Sequence, residues 1–353
     1  MNILIINCGS SSVKYKFYQM PQERLISKGI VDRIGEKDSS IKNHHQALDT
    51  ILQKIKGVDA VGHRVVHGAE EFREPALIDE KVIRKINGCS FLAPLHNPAN
   101  LGGILACKKI LKGIKQVAVF DTAFHQSLPA RAFIYGLPYR LYQIYRIRKY
   151  GFHGTSHEYA SCEAAKKLKK SISKINAITC HLGNGCSIAA IKNGKSVDTS
   201  MGFTPLEGLV MGTRCGDIDP ALITYLIREK KMSLKSVDEL LNKESGLKGI
   251  SGISNDMRKL KTQADKGNKR CLLAIEIFIY RLKKYISAYL GILATADAVV
   301  FTGGIGEHHS WLVRKVCNGL FSNLKIKPKV MVIPADEELM IARQTYNTIK
   351  GVN

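Results

Sequence analysis

Ile3-Leu4-Ile5-Ile6-Asn7-Cys8-Gly9-Ser10-Ser11-Ser12-Val13-Lys14-Tyr15-Lys16-Phe17-Tyr18 opens the chain and decides its fold. The aliphatic run predicts a strand over 3–7, and the glycine and serines after it predict a tight turn. Alternation from Val13 to Tyr18 predicts a return strand. About half a chain later the arrangement recurs. Ala177-Ile178-Thr179-Cys180 reads as a strand, 181–185 as a turn and 187–191 as a return strand, with Asn193-Gly194 a hairpin turn into another. Two such copies imply an ancient duplication of architecture, since the turn residues differ.

Other elements follow from local signals. Val117 to Phe120 is a continuous apolar run, as a buried central strand requires. Thr155 with Glu158 forms a capping-box pattern opening a helix over 155–170, and Ser236 with Glu239 repeats it. Asp219-Pro220 places a cap and a first-turn proline before a helix over 221–231. Residues 269–293 read as one long helix. Leu272, Ile275, Ile279, Leu282, Ile286, Tyr289 and Leu293 share a stripe assigned to core or subunit contact. Ala298 to Phe301 is a second buried strand, ending in Thr302-Gly303-Gly304-Ile305-Gly306-Glu307.

A chain of 353 residues is too long for one ordinary core and implies two domains of roughly 150–200 residues. No stretch supplies the ~20 uninterrupted apolar residues of a membrane helix, and no basic segment precedes the first apolar run, against a secretory signal. Nine cysteines, an odd number with no C-x-x-C pair, fit reduced thiols in a cytosolic protein and not a disulfide framework or zinc site. The net charge of +23 admits nucleic-acid binding, yet the lysines are dispersed and no aromatic block interleaves with them. An anionic substrate fits the charge better.

Three small-residue turns after strands, at 7–12, 181–185 and 303–306, suit closure of backbone N–H groups on phosphate oxygens. Neither the G-x-x-x-x-G-K-[ST] loop nor a helix-opening G-x-G-x-x-G occurs, so P-loop and Rossmann readings fall away. Arg64 lies among valines in Gly62-His63-Arg64-Val65-Val66-His67-Gly68, where partial burial calls for an anionic partner. Asp121 directly follows an apolar strand, at the sheet edge where α/β active sites gather. His153 and His157 are four apart, but the capping pattern puts His153 before the helix, against a shared metal-binding face. Arg214, between glycines in Met211-Gly212-Thr213-Arg214-Cys215-Gly216-Asp217, suits contact with a transferring phosphoryl group. No G-x-S-x-G elbow supports a serine hydrolase.

On these segments, together with 93–100, 150–157, 198–220 and 336–343, the chain closely resembles the acetokinase family of the actin, sugar-kinase and chaperone-ATPase superfamily. The resemblance spans nearly the whole chain. It implies an α/β fold of two duplicated actin-like ATPase (ribonuclease H-like) domains with an interdomain active-site cleft. Domain I would be 1–122 with 338–353 returning to it, and domain II 123–337. The implied reaction is reversible phosphoryl transfer between ATP and acetate, giving acetyl phosphate and ADP. By position, Asp121, His153 and Arg214 match catalytic residues. Arg64 matches the carboxylate-binding arginine, and Val66, Leu95, Phe152 and Pro205 the methyl pocket. Asn7 and Glu337 match Mg2+-associated positions, with Mn2+ as an alternative ion. Ser10, Ser12 and Lys14 match phosphate neighbours. His181, Leu182, Gly183, Asn184, Gly185, Asp256, Met257, Arg258, Gly304, Ile305, Gly306, Glu307 and His308 match nucleotide-binding segments. The resemblance also implies a cytoplasmic homodimer with no membrane and no specific nucleic-acid partner.

Acetate is already ionised at pH 7, so Asp121 is assigned to positioning and electrostatics, not to proton abstraction. His153 and Arg214 would stabilise the transferring phosphoryl group. Propionate or butyrate kinase, and a non-catalytic nucleotide-binding relative, are the alternatives. The chain departs from the family in being several tens of residues shorter, with losses between 17 and 64 and between 307 and 337. It departs also at Ala69, Cys215 and His308, where glycine, serine and asparagine are usual.

Overall fold

The computed structural model describes residues 1–9, 11–36, 38–94 and 96–352. Two compact units emerge, one of Met1–Gln126, Gly154–Tyr159 and Asp336–Asn353, the other of Ser127–His153 and Ala160–Ala335. The first unit is built on β1 (Asn2–Cys8), β2 (Val13–Gln19), β3 (Arg24–Val31), β4 (Ala60–Val65), β5 (Ala76–Leu77) and β6 (Lys115–Phe120). Their order across the sheet is β3-β2-β1-β4-β6-β5, with β1, β4 and β6 parallel and the β1–β2 and β2–β3 pairs antiparallel. The second unit holds β7 (Ala177–Leu182), β8 (Cys186–Lys192), β9 (Lys195–Thr199), β10 (Ala298–Thr302) and β11 (Lys329–Val332), in the order β11-β10-β7-β8-β9. Again the first strand pairs antiparallel with its hairpin partner and parallel with a later strand. The five strands of the second sheet thus repeat the order of β3, β2, β1, β4 and β6 in the first, and only β5 has no counterpart.

Alternation along β1 places the helices. Ile3 to Ile6 are each no more than 1% exposed, so both faces of the strand are covered. Leu4 and Ile6 cluster with Leu48 and Ile51 of the helix His44–Lys54 and with Cys107 of the helix Asn97–Ile110. Ile3 and Ile5 cluster with Ile341 and Ala342 of the helix Glu337–Lys350. A period of two thus sorts one helix layer to each face, each buried aliphatic stabilising by roughly 1.5–3 kcal/mol. The same burial draws the C-terminal tail into the first unit. Among the described residues no helix is long and apolar enough to cross a membrane.

Several local expectations yield to tertiary partners. The helix expected over 155–170 runs Gly154–Lys167, with His153 as a left-handed cap at φ 57°. Its capping box does not form. Thr155 Oγ1 donates instead to Asp121 Oδ1 at 3.2 Å, and Gln344 Nε2 donates to Glu158 Oε2 at 2.6 Å. Those bonds explain why 154–159 group with the first unit although the expected division put them in the second. Ser236 does not cap either: Ser233 does, accepting from Ser236 N–H at 3.1 Å. The helix after Pro220 stops at Arg228. Lys269–Leu293 forms as expected, but Leu272 is exposed and Phe278 joins the buried stripe. The turn expected at 303–306 is the first turn of a helix, Gly303–His308. Edge strand β3 gave no signal because Leu25, Ile26 and Ile30 stay exposed.

Glu158 carries a stability prediction. Burial pushes its carboxyl from 4.5 up to about 7, with the Gln344 hydrogen bond opposing. Between those pH values the folded state keeps a proton that the unfolded chain has released. Stability from this group is therefore present below pH 4.5 and lost as pH rises through 7. Glu158→Gln should remove that slope, on the order of 1–3 kcal/mol. Melting curves across this range should converge at acid pH and separate at pH 8, the variant being the more stable.

Candidate active site

In the first unit three parallel strands end side by side. Pairing of β1 with β4 stops at Ile6–His63, so Asn7 and Arg64 lie one residue beyond it. Asp121 follows β6 directly, its N–H donating to Val65 O at 3.0 Å. Parallel strands diverge into loops at their carboxyl ends, which leaves room there for polar groups. Arg64 fills it. Its Nε donates to Asp121 Oδ1 and Oδ2 at 3.1 and 3.0 Å, and its Nη2 donates to Oδ2 at 2.6 Å.

On the other side Arg64 Nη1 lies 4.0 Å from Glu337 Oε2, at the start of the C-terminal helix. Asp336 caps that helix, accepting from Leu339 N–H at 3.0 Å, and takes Lys16 Nζ at 2.8 Å. Lys16 also reaches Glu338 at 3.1 Å. Burial pushes the Glu337 carboxyl up; Arg64 opposes this, while Asp121 and Glu338 add to it. For Arg64, burial works against the charge, but Asp121 and Glu337 more than offset it. Carboxylates outnumber cations here. With Asn7 on the adjacent strand end, the donors are hard oxygens in negative surroundings, which fit a divalent cation such as Mg2+. Lys14 stands opposite Asn7 in the β1–β2 register. Ser12 O accepts from Gly9 N–H at 2.8 Å, closing the turn. Ser10 lies outside the described residues.

The second unit places His153 and Arg214 together. His153 Nδ1 is 2.9 Å from Ser187 Oγ, and its ring stacks 4.3 Å from that of His181. Arg214 Nη1 donates to Pro205 O at 3.2 Å, and burial lowers its pKa. Among the described residues no carboxylate pairs with it. A Cβ on Gly185 would come within 3.2 Å of the His153 ring and 3.4 Å of Arg214 Nη1. The bare backbone of Gly185 therefore lets both side chains converge.

A pocket of about 520 Å³ in the same unit is lined by Gly183, Asn184, Asp256, Met257, Arg258, Gly304, Ile305 and His308. Asn255 and His309 complete it, and sequence reasoning missed both. Asn255 stands beside the capping residue Asp256, the one signal that pointed to it; Asn255 Nδ2 donates to Asn184 Oδ1 at 3.0 Å. Arg258 holds the Asp256 carboxyl down at about 2. Five candidates do not line the pocket. His181 packs on His153, Leu182 is fully buried in β7, and Gly185 faces the His153–Arg214 pair. Gly306 is buried against Phe301, and Glu307 Oε1 accepts from Ala335 N–H at 2.9 Å. Strand alternation in β7 turns Leu182 into the core, whereas Gly306 and Glu307 lie on the helix Gly303–His308 and follow its turn.

Of the expected methyl pocket, half-buried Val66 belongs to the first unit; buried Phe152 and half-buried Pro205 belong to the second. Leu95 lies outside the described residues. Asn97 and Asn100, both buried, hold the loop that carries Val66. Sequence reasoning gave neither a role.

Residues 2–327 match the acetokinase family. An acetate kinase from Acetivibrio thermocellus is 47% identical over 399 residues, covering 100% of both chains. The alignment is longer than the 353-residue chain, so several tens of that relative's positions are missing here, as expected from the sequence. The crystal structure of Porphyromonas gingivalis acetate kinase superposes with a TM-score of 0.92 at 41% identity, covering 99% of each chain. A propionate kinase from Francisella tularensis gives 0.92 at 42%, covering 98% of this chain and 99% of that one. A ROK-family protein from Streptococcus pneumoniae, at 14% identity and a TM-score of 0.51, shares the fold alone.

Proposed function

The chain belongs to the acetokinase family, and from that premise we propose that it catalyses reversible phosphoryl transfer between ATP and acetate, yielding acetyl phosphate and ADP. The observation that carries the reading is Arg214, a half-buried guanidinium with no carboxylate partner among the described residues, set beside His153. A cation desolvated in this way is built to receive an anion, and a loose phosphoryl-transfer transition state presents three charged oxygens.

In this reading Arg214 and His153 neutralise the transferring group, and Arg64 binds the substrate carboxylate. Asp121 orients Arg64 through three donor contacts and is itself held by Thr155. No general base is required, because the acid arrives ionised. Asn7 and Glu337 would hold Mg2+ with Asp121 nearby, and the ion would supply further neutralisation of phosphate charge. The pocket of Gly183, Asn184, Asp256 to Arg258, Gly304, Ile305 and His308 would take the nucleotide; its size suits a small ligand. Buried and half-buried free cysteines support a cytoplasmic setting. Exposed Leu272, Leu273, Tyr280 and Ile292 on the long helix support assembly as a homodimer.

The direct test traps the acyl phosphate formed from acetate, propionate or butyrate with Mg-ATP. Acetate should exceed propionate by about 10–200-fold in kcat/KM, since one methylene is worth ~1–3 kcal/mol in an apolar pocket. Val66→Ala should move preference toward propionate, mostly through KM, because the pocket touches a part of the acid unchanged during transfer. An unmoved ratio would place the pocket elsewhere.

A further inference from the structure

We infer that Asn100 is a positioning residue whose side-chain amide fixes where Val66 stands and so helps set which acid is accepted. The inference rests on the reading of Val66 as a wall of the methyl pocket. β1 and β4 are paired as far as Ile6 and His63 and then separate. Asn100 inserts where the next rung of the ladder would lie. Its Nδ2 donates to Cys8 O at 2.7 Å, and its Oδ1 accepts from Val66 N–H at 3.0 Å. Three residues earlier on the same helix, Asn97 grips the next peptide in the same manner. Its Oδ1 accepts from His67 N–H at 3.1 Å, and its Nδ2 donates to His67 O at 2.9 Å.

The pattern continues along the loop. Gly68 N–H donates to Thr122 Oγ1 at 3.0 Å, and Ala69 N–H to the Nδ1 of His67 at 3.0 Å. Four successive backbone donors, 66–69, thus end on side chains and none on a strand or helix. Asn97 is 0% and Asn100 3% exposed, so water cannot replace either amide. A buried donor left without its acceptor is costly, which makes the loop follow the amides. Among the described residues Asn100 alone ties Val66 to Cys8, the neighbour of Asn7. It therefore fixes where the acid-binding end of β4 stands against β1.

Asn100→Asp is the informative change. It keeps the size of the side chain and an oxygen for Val66 N–H, but turns a second oxygen toward Cys8 O. KM for acetate should rise about tenfold and the acetate-to-propionate ratio should change about fivefold, while KM for ATP stays within about twofold. Thermal melting checks that the variant folds. If it does not, Thr122→Val, nearly isosteric and lacking the Gly68 acceptor, should change the ratio in the same direction by about twofold. Val66→Ala is assayed alongside. If Val66→Ala moves the ratio and the folded clamp variant does not, the inference is overturned and the pocket reading stands. Equal rises in KM for acetate and ATP would also overturn it, as a general loosening. If Val66→Ala itself moves nothing, the pocket reading falls and takes the inference with it.

Discussion

Asp121→Asn should reduce turnover by about 10²–10³-fold or more while nucleotide binding survives. The substitution keeps the shape of the side chain and removes its charge. As aspartate, the group takes Arg64 through both carboxylate oxygens and is held by Thr155. As asparagine it offers one oxygen, and its NH2 faces the guanidinium it should receive. Arg64 then loses its main counter-charge and swings toward Glu337, away from the orientation that meets a substrate carboxylate. Breaking one side of a buried pair typically costs ~3–5 kcal/mol, so the melting temperature should fall as well. Every residue lining the pocket proposed for the nucleotide belongs to the other unit, which is why ATP affinity, read by calorimetry, should hold. Near-normal turnover in the folded variant would remove Asp121 from the mechanism.

Arg64→Ala should lower kcat/KM for acetate by ~2–5 kcal/mol, leaving the carboxylate of the substrate unpaired in a dry site. The geometry adds a second consequence. Asp121 and Glu337 lose a guanidinium that faces both, and burial already pushes the Glu337 carboxyl up. In the variant the Glu337 carboxyl should hold its proton to higher pH still, so the variant's stability should fall with rising pH more steeply than that of the unmodified protein. Arg64→Lys separates charge from shape. It restores a cation but not the two-nitrogen grip on Asp121, and should recover stability better than activity. Less than about a fivefold change in kcat/KM for Arg64→Ala, only ~1 kcal/mol, would show that the arginine does not bind the acid.

Much of this protein is legible in its letters. The aliphatic run before Asn7 and the hairpins after it and after Cys180 announced two copies of one sheet, because strand periodicity and turn chemistry are local properties. Arg64, Asp121 and Arg214 could be singled out as candidates in the same way, since each sits at a strand end or glycine-flanked turn; His153 came from the family resemblance alone. Partnership was not legible. Thr155 and Glu158 have the letters of a capping box, yet their side chains go to Asp121 and Gln344, far away in sequence. Glu307 lies within a segment matched to nucleotide binding, yet its carboxylate accepts from Ala335 N–H. Asn97 and Asn100 carried no assigned role, and only the parting of β1 from β4 gives their amides the loop to hold. Backbone preferences act over a few residues and can be read from them. A buried side chain takes whichever partner the folded chain brings within hydrogen-bond reach, and that is decided by packing between segments far apart in sequence.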